Sequence, residues 1–341
     1  MAARPSLLER LDQDVVLSAE GYLFELERRG YLQSGPFVPE VVLEHPEAVR
    51  ELHREFLRAG TEVMLAFTYY GHREKLRMIG REDDLEPLNR QALQLATEVA
   101  AEGDALVAGN ICNTWAYDAD DPEGSGEVVR EMYREQVQWA VEAGADFVIS
   151  ETNDYLGEAL IGVEVIREHG LPAVVTFAST DEETIDGFSF EEACKRAEAA
   201  GADVVGMNCS RGPTTMLPIL ERIRAAVSCH VAAQPVPYRT TPEQPTFVVL
   251  QHEDGSRAFP VGLDPFVLTR FEMADFAVAA RDLGVGYIGI CCGGAPHHVR
   301  SMAEALGRTV PASRYSPAME LHPVLGENVK ARDRRFMGWG V

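Results

Sequence analysis

Short apolar runs alternate with amphipathic stretches along most of this chain, and the alternation repeats eight times. Runs that are apolar throughout are typical of parallel strands buried on both faces, whereas strands with one wet face alternate apolar and polar residues. The pattern therefore predicts eight parallel strands, at residues 15–18, 63–67, 105–109, 147–150, 173–177, 204–207, 230–233 and 287–290.

The amphipathic stretches predict helices, and many of them carry end signals. Pro46 lies near one predicted helix start, and Gly60 and Gly144 follow two predicted helix ends. The predicted helices cover residues 45–59, 86–102, 126–143, 157–168, 189–200, 215–226, 270–283 and 296–306. Eight strands that alternate with eight helices favour an α/β fold of the (β/α)8 TIM-barrel type.

A doubly wound open sheet is the alternative that the same alternation permits. No G-x-G-x-x-G motif follows the first predicted strand, which argues against the dinucleotide-binding version of that fold. We expect residues 1–311 to form the barrel and residues 312–341 to form a C-terminal extension. The extension carries a basic run at 330–335 and is a candidate contact in a homo-oligomer.

The charge of the chain excludes some classes of partner. Its 54 acidic residues outnumber its 31 basic residues, which gives a net charge of −23. Nucleic-acid binding needs lysine and arginine to neutralise phosphates, so we expect no nucleic-acid partner. No apolar run approaches the roughly 20 residues that span a bilayer, and the first residues lack a secretory signal pattern. We therefore expect a cytoplasmic protein that acts on small molecules.

Three cysteines lie at the ends of two predicted strands. Cys209 ends the sixth strand, and Cys291 and Cys292 follow the eighth, just before a glycine turn. Because strand carboxyl ends share one rim of a barrel, the three thiols are expected to converge. Soft thiolates select zinc over magnesium or calcium, and three protein ligands leave zinc the open position of a catalytic site. The alternative is that each cysteine is a small core residue.

The other three cysteines, Cys112, Cys194 and Cys229, are interpreted as core residues. Disulfides are not expected, because thiols stay reduced in the cytosol. The chain also has no H-E-x-x-H motif, and water activation by zinc favours histidine and carboxylate ligands, so a zinc hydrolase is disfavoured. Three thiolates suit zinc better to a fourth thiolate from a substrate, which would stay nucleophilic near neutral pH. This chemistry points to alkyl transfer to a thiol.

Aromatic residues suggest where an alkyl donor would bind. Tyr69 and Tyr70 follow the second predicted strand at the same rim, and Phe37 lies in the first long loop. Aromatic faces attract quaternary ammonium and sulfonium groups. The alternative is that the two tyrosines only pack or anchor their loop. Trp115, in the third loop, has no role that the sequence assigns.

The chain resembles the homocysteine S-methyltransferase family over nearly its whole length, and is most similar to the betaine-dependent members. The Asn208-Cys209 pair with a distant Cys291-Cys292-Gly293 is the most specific part of the resemblance. Further matching stretches are 28–31, 35–40, 45–50, 53–60, 102–109, 206–209, 233–235 and 289–293. The resemblance implies a barrel with Zn2+ on Cys209, Cys291 and Cys292, and a methyl donor used directly, without a cobalamin module.

The resemblance also implies roles for substrate-binding residues. Glu151 matches the acid that binds the amino group of homocysteine, and Asn208 and Gln234 match polar residues near the site. Tyr70 matches an aromatic residue of the betaine pocket, and Phe37 replaces a tryptophan there. We therefore expect Glu20, Gly21, Glu151 and Asn208 on the acceptor side, and Phe37, Tyr69, Tyr70 and Gln234 on the donor side.

Two departures from the family pattern leave the substrates open. The first-strand motif Asp-Gly-Gly is here Ala19-Glu20-Gly21, which moves the acid by one position. Thr152 stands where the betaine enzymes have a tyrosine. The leading hypothesis is methyl transfer from glycine betaine to homocysteine, giving methionine. The alternatives are another donor (dimethylsulfoniopropionate, S-methylmethionine or another betaine), another thiol acceptor, or a non-catalytic barrel that binds zinc or a ligand.

Overall fold

Eight parallel strands form one sheet, in the order β1-β8-β7-β6-β5-β4-β3-β2. A computed structural model describes residues 4–323 and 325–326 of the chain. The strands are β1 (Val16–Leu17), β2 (Val63–Leu65), β3 (Leu106–Cys112), β4 (Phe147–Asn153), β5 (Ala173–Phe177), β6 (Val204–Asn208), β7 (His230–Gln234) and β8 (Tyr287–Ile288). All eight predicted strands are confirmed, with ends that differ by up to three residues.

The sheet closes where β1 meets β2. Glu62, just before β2, donates its backbone N–H to the Leu17 carbonyl at 2.8 Å, and its carboxylate accepts the Leu17 N–H at 3.0 Å. Asp146 and Asp203 act in the same way before β4 and β6, accepting the N–H groups of Val107 and Ala173 at 2.7 and 2.9 Å. These acids satisfy backbone donors at the amino ends of the strands and support the predicted (β/α)8 barrel.

Helices cover the outside of the barrel and confirm the eight predicted ones, each within two residues at either end. They are α1 (Leu7–Leu11), α2 (Tyr22–Arg28), α3 (Val41–Glu44), α4 (Pro46–Ala59), α5 (Arg73–Met78), α6 (Leu85–Ala100), α7 (Gly124–Glu142), α8 (Leu156–Glu168), α9 (Phe190–Ala199), α10 (Pro213–Ala226), α11 (Arg270–Asp282) and α12 (Pro296–Ala305). Short 3-10 helices lie at Glu82–Asp84, Phe247–Val249, Asp264–Phe266, Pro311–Tyr315 and Met319–Leu321. None of the described helices is both long and apolar enough to cross a bilayer.

After α12 the described residues at 311–316 pack back against that helix. Arg300 donates from Nη1 to the Tyr315 carbonyl at 3.3 Å, and Ser316 donates its hydroxyl to the Glu304 carboxylate. The division at residue 311 and the oligomer contact remain predictions. The basic run at 330–335, and the rest of the chain from residue 327, lie outside the described residues.

A buried carboxyl holds the loop that follows β3. Glu158, on α8, is 1% exposed. Its Oε1 accepts two hydrogen bonds from Thr114, from the backbone N–H at 2.8 Å and from the hydroxyl at 2.5 Å. Burial raises the pKa of Glu158 to about 7. The folded protein therefore binds this proton more tightly than the unfolded chain does.

Replacing Glu158 with Gln is expected to remove one source of pH-dependent stability. Because the folded pKa of about 7 lies above the ordinary 4.5, this carboxyl lowers the free energy of unfolding progressively from about pH 4.5 to about pH 7. The full shift corresponds to about 3 kcal/mol. Between roughly pH 5 and pH 8, urea unfolding should show wild type losing about 2–3 kcal/mol more than Glu158→Gln.

The exposed Glu164, on the same helix, supplies the matched control. Glu164→Gln should keep the pH dependence of wild type. An identical pH dependence in wild type and Glu158→Gln would contradict the assignment.

Candidate metal and substrate site

The carboxyl ends of the strands bring the predicted site residues to one rim of the barrel. Glu151 is the fifth residue of β4, and Asn208 is the last residue of β6. Both were expected just after their strands, and both lie inside the strands because pairing continues further than the apolar runs do. Cys209 directly follows β6. The interior of the closed barrel places these side chains together.

The three predicted metal ligands converge. The sulfur atoms of Cys209, Cys291 and Cys292 all lie within 4.8 Å of one another. The sulfurs of Cys291 and Cys292 are 3.9 Å apart. All six cysteines of the chain are free thiols, and Cys112 and Cys194 are buried elsewhere, as core residues. The structure thus groups the same three cysteines that the strand pattern selects.

Two glycines shape the turn that carries Cys291 and Cys292. Gly293 has φ +85°, a left-handed conformation that residues with a side chain rarely adopt. A Cβ at Gly293 would lie 2.2 Å from the Tyr238 hydroxyl. Gly21 packs so closely against this turn that a Cβ there would lie 2.2 Å from the Gly294 carbonyl oxygen. Gly21 therefore serves the close approach of the β1 loop to the cysteine turn.

The three thiols do not ionise independently. Thiol hydrogen bonds from Cys291 and Cys292 lower the pKa of Cys209 well below its ordinary value. The same interactions, together with burial, raise the pKa values of Cys291 and Cys292. Without a cation, one thiolate forms easily at Cys209 and suppresses ionisation of the other two thiols.

Two buried carboxyls lie beside the thiols. The carboxylate oxygens of Glu20 and Glu151 and the sulfur of Cys291 all lie within 4.8 Å of one another. Burial and the neighbouring Glu151 raise the pKa of Glu20 well above its ordinary value, and burial raises the pKa of Glu151 to about 7. Neither oxygen of Glu20 has a hydrogen-bond partner among the described residues. An unpaired buried carboxyl of this kind is suited to receive a cationic group.

Asparagines hold Glu151 in place. Asn110 donates from Nδ2 to Oε1 of Glu151 at 2.5 Å, and Asn208 donates from Nδ2 to Oε2 at 2.9 Å. The side-chain oxygen Oδ1 of Asn208 accepts a hydrogen bond from the Thr152 backbone N–H at 2.8 Å. Asn208 therefore connects the carboxyl to Thr152 near the end of β4, which lines both cavities described below, while Glu20 has no such support.

The residues present fit a zinc ion. Three thiols with two adjacent carboxyls form a buried, strongly acidic cluster whose sulfur donors are soft. Ionising all three thiols in one buried space needs a cation to offset their repulsion. Among the described residues, no histidine joins this group. His298 is buried and faces the Leu268 carbonyl instead, at 3.1 Å.

Two adjoining cavities open at the cluster. The inner cavity, lined by Glu20, Glu151 and the three cysteines among others, has a volume of only about 20 Å³. That space fits a group about the size of one water molecule. The outer cavity has a volume of about 200 Å³. The two share five lining residues, namely Leu23, Tyr69, Thr152, Cys209 and Cys292.

The outer cavity is largely aromatic. The predicted donor-side residues Phe37, Tyr69 and Tyr70 all line it. The two tyrosine rings stack, with centroids 4.1 Å apart. Gln234 does not line this cavity: it is fully buried, and its amide donates to the Ser18 hydroxyl at 3.1 Å. Its predicted donor-side role remains a prediction.

Sequence reasoning missed three phenylalanines of this cavity, Phe24, Phe247 and Phe259. Phe247 and Phe259 come from the long segment between β7 and α11, which has no apolar periodicity to place it. Their rings pack edge to face, with centroids 5.2 Å apart. The length of the segment is the signal that was available, because long connections in compact domains are often functional.

A family model described as homocysteine S-methyltransferase matches residues 21–306 of this chain. Betaine–homocysteine S-methyltransferase 1 of Xenopus laevis is 40% identical, over 90% of this chain and 76% of its own length. S-methylmethionine–homocysteine S-methyltransferase BHMT2 of Pongo abelii is 37% identical, over 98% of this chain and 92% of its own length.

Solved structures agree on the fold. The metallated form of the homocysteine methyltransferase MmuM from Escherichia coli superposes with a TM-score of 0.67. It is 21% identical to this chain, and the match covers 86% of this chain and 96% of that one. With a family model that spans most of the chain and relatives of such similarity, the protein belongs to the homocysteine S-methyltransferase family.

Proposed function

We propose that this enzyme transfers a methyl group from an onium donor to the thiol of homocysteine, giving methionine, with glycine betaine as the favoured donor. The observation that carries the proposal is the adjacency of two environments. Three thiols and two carboxyls line an acidic inner cavity, and an aromatic outer cavity shares five of its lining residues. The acidic groups of the first suit the ammonium and thiol of an amino thiol, and the aromatic walls of the second suit an onium group.

Cys209, Cys291 and Cys292 would hold zinc. When bound, zinc would lower the pKa of a thiol ligand, so that the thiol is present as thiolate near neutral pH. The protein contributes the sulfur triad and its two carboxyl neighbours. Cys209 and Cys292 border both cavities, so the acceptor sulfur would lie at their junction.

Glu151 and Glu20 would bind the ammonium group of homocysteine. A carboxylate paired with an ammonium is a strong, charge-assisted contact in a buried site. Asn110 and Asn208 orient Glu151 before the substrate arrives. The position of Glu20 beside it supports a shared role, because the acid displaced by one position still lies at the site.

The aromatic walls would hold the donor. Phe37, Tyr69 and Tyr70 border the outer cavity, and Phe247 and Phe259 add further aromatic faces. Cation–π attraction in such a desolvated site contributes about 2 kcal/mol. Glycine betaine and S-methylmethionine both have an onium group of the kind such walls attract, and relatives are named for each of them.

In the transfer step, the acceptor thiolate forms a new S–C bond to the donor methyl. The C–N bond breaks, and its electron pair goes to nitrogen, which leaves as a neutral amine. No proton is transferred to the leaving group, so no protein general acid is required. The residues act by proximity, in-line orientation and exclusion of water.

The zinc-loaded protein should convert homocysteine to methionine with at least one onium donor. Glycine betaine, S-methylmethionine and dimethylsulfoniopropionate with deuterated methyl groups would each be incubated with homocysteine. Labelled methionine would be measured by mass spectrometry, and kcat/KM ranked across the donors. The absence of turnover with every donor would reject the proposed function.

Cys291→Ser should lose its metal. A hydroxyl is a harder and far less acidic ligand than a thiol, so the zinc content should fall from about one ion per chain to a small fraction of that. Elemental analysis of the purified proteins gives this directly. Cys229→Ser, at a half-buried thiol outside the cluster, is the control and should keep its zinc. Equal zinc in both variants would argue against these ligands.

Glu151→Gln should weaken recognition of the amino group of the acceptor. Loss of the charge is expected to raise the KM for homocysteine about 10²-fold, the scale of a buried charged hydrogen bond of about 3 kcal/mol. Glu20→Gln should act in the same direction.

The matched substrate is 4-mercaptobutyrate, which lacks the amino group. Its kcat/KM should change little in either variant. An equal loss of kcat/KM for homocysteine and for 4-mercaptobutyrate would show that the two carboxyls do not bind the ammonium group.

A further inference from the structure

Lys75 is a lysine with a largely buried side chain and no anionic partner among the described residues. It lies on α5, close to the rim of the barrel, and is 5% exposed. Within residues 4–323 and 325–326, no carboxylate forms an ion pair with it and no acceptor forms a hydrogen bond with it. The buried Glu158, by comparison, accepts hydrogen bonds from Thr114. With no ion pair or hydrogen bond to the described residues, this ammonium depends on its other surroundings to compensate for the water that it loses.

Two aromatic rings provide that compensation. The Lys75 ammonium lies 4.2 Å from the centroid of the Tyr70 ring and 3.8 Å from that of the Trp115 ring. The two rings meet nearly at right angles, with an interplanar angle of 83° and centroids 6.1 Å apart. Lys75 therefore fills the corner between two aromatic faces, which is a favourable arrangement for an ammonium.

Both rings come from strained loop positions. Tyr70 has φ +59° and Trp115 has φ +65°, in the left-handed region that disfavours side chains. Such conformations persist only where surrounding contacts impose them. Trp115 is 62% exposed, so packing against the core does not hold its ring. The contact with Lys75 supplies a restraint that the core does not.

The corner lies directly behind the donor-side cavity. Tyr70 lines that cavity, and its ring stacks on Tyr69, which lines both cavities. Lys75 lines neither cavity. A change at Lys75 would therefore reach the donor through Tyr70 and Tyr69 and not by direct contact.

We propose that Lys75 is a positioning residue for methyl-donor binding: its ammonium clamps Tyr70 against Trp115, and thereby fixes the stacked tyrosine wall of the donor cavity. The proposal rests on the proposed function for the identity of the donor, and on the contacts above for the role of Lys75. Without the clamp, donor binding must itself order the tyrosine wall, which weakens binding without changing the chemical step.

The test compares Lys75→Met with Lys75→Arg. Methionine keeps an unbranched apolar stem and removes the charge, whereas arginine keeps a cation that also stacks on aromatic rings. Lys75→Met should raise the KM for glycine betaine about tenfold, the scale of one desolvated cation–π contact. The KM for homocysteine, kcat at saturating donor and the zinc content should stay within about twofold. Lys75→Arg should stay within about threefold of wild type in every parameter.

Lys195→Met provides the control, because Lys195 is exposed on α9, away from the barrel rim. It should behave as wild type. An unchanged betaine KM in Lys75→Met would overturn the proposal. So would an equal rise in the KM values of both substrates, or a loss of zinc, since either indicates a general structural role.

A binding measurement separates this proposal from the proposed function. Calorimetry with glycine betaine and the zinc-loaded protein, without a thiol acceptor, measures donor affinity without turnover. Wild type should bind betaine about tenfold more tightly than Lys75→Met, in line with the kinetic shift. If the protein binds betaine but shows no turnover, only the proposed function is rejected. If the two proteins bind betaine with equal affinity, or if neither binds it, the proposed role of Lys75 is rejected.

Discussion

Five acidic side chains share one buried space in this protein, and their mutual repulsion is the constraint on which the site depends. Three thiols and two carboxyls cannot all ionise together in a medium of low dielectric constant. The free protein relieves the strain by keeping protons: Cys209 has the lowered pKa, and the pKa values of its two sulfur neighbours and of both carboxyls are raised. Cations relieve it in another way, and the site is suited to receive both a metal ion and an ammonium group.

The barrel rim stores conformational strain around this cluster. Within the described part of the chain, the residues other than glycine that have positive φ are Phe37, Tyr70, Trp115, Thr152, Cys209 and Ser210. Thr152 lies near the carboxyl end of β4, the other five lie in connections after β1, β2, β3 and β6, and most of the six line a cavity or contact a residue that does. Strained conformations of this kind are held by the surrounding structure, and they position side chains where relaxed loops would not.

The structure shows where the acid of the altered first-strand motif lies. The sequence moves the family's acid from position 19 to position 20 and leaves open whether it still reaches the site. The carboxylate of Glu20 lies within 4.8 Å of that of Glu151 and of the Cys291 sulfur. Ala19 takes the vacated position and is buried. Thr152, which replaces a tyrosine, keeps a hydroxyl near the cluster: it accepts a hydrogen bond from Asn208 at 2.8 Å.

The sequence by itself determined the barrel, because continuous apolar runs and amphipathic helices are local patterns with one favourable way to bury them all. It also determined that the three cysteines converge, because residues at the carboxyl ends of parallel strands lie at the same rim of the barrel. Only the tertiary structure decided which loop residues surround them. The contacts of Lys75 and Gln234 depend on side chains from other elements, and the positions of Phe247 and Phe259 depend on how the long connection after β7 folds over the rim. Such connections are fixed by contacts between residues distant in sequence, which no local pattern encodes.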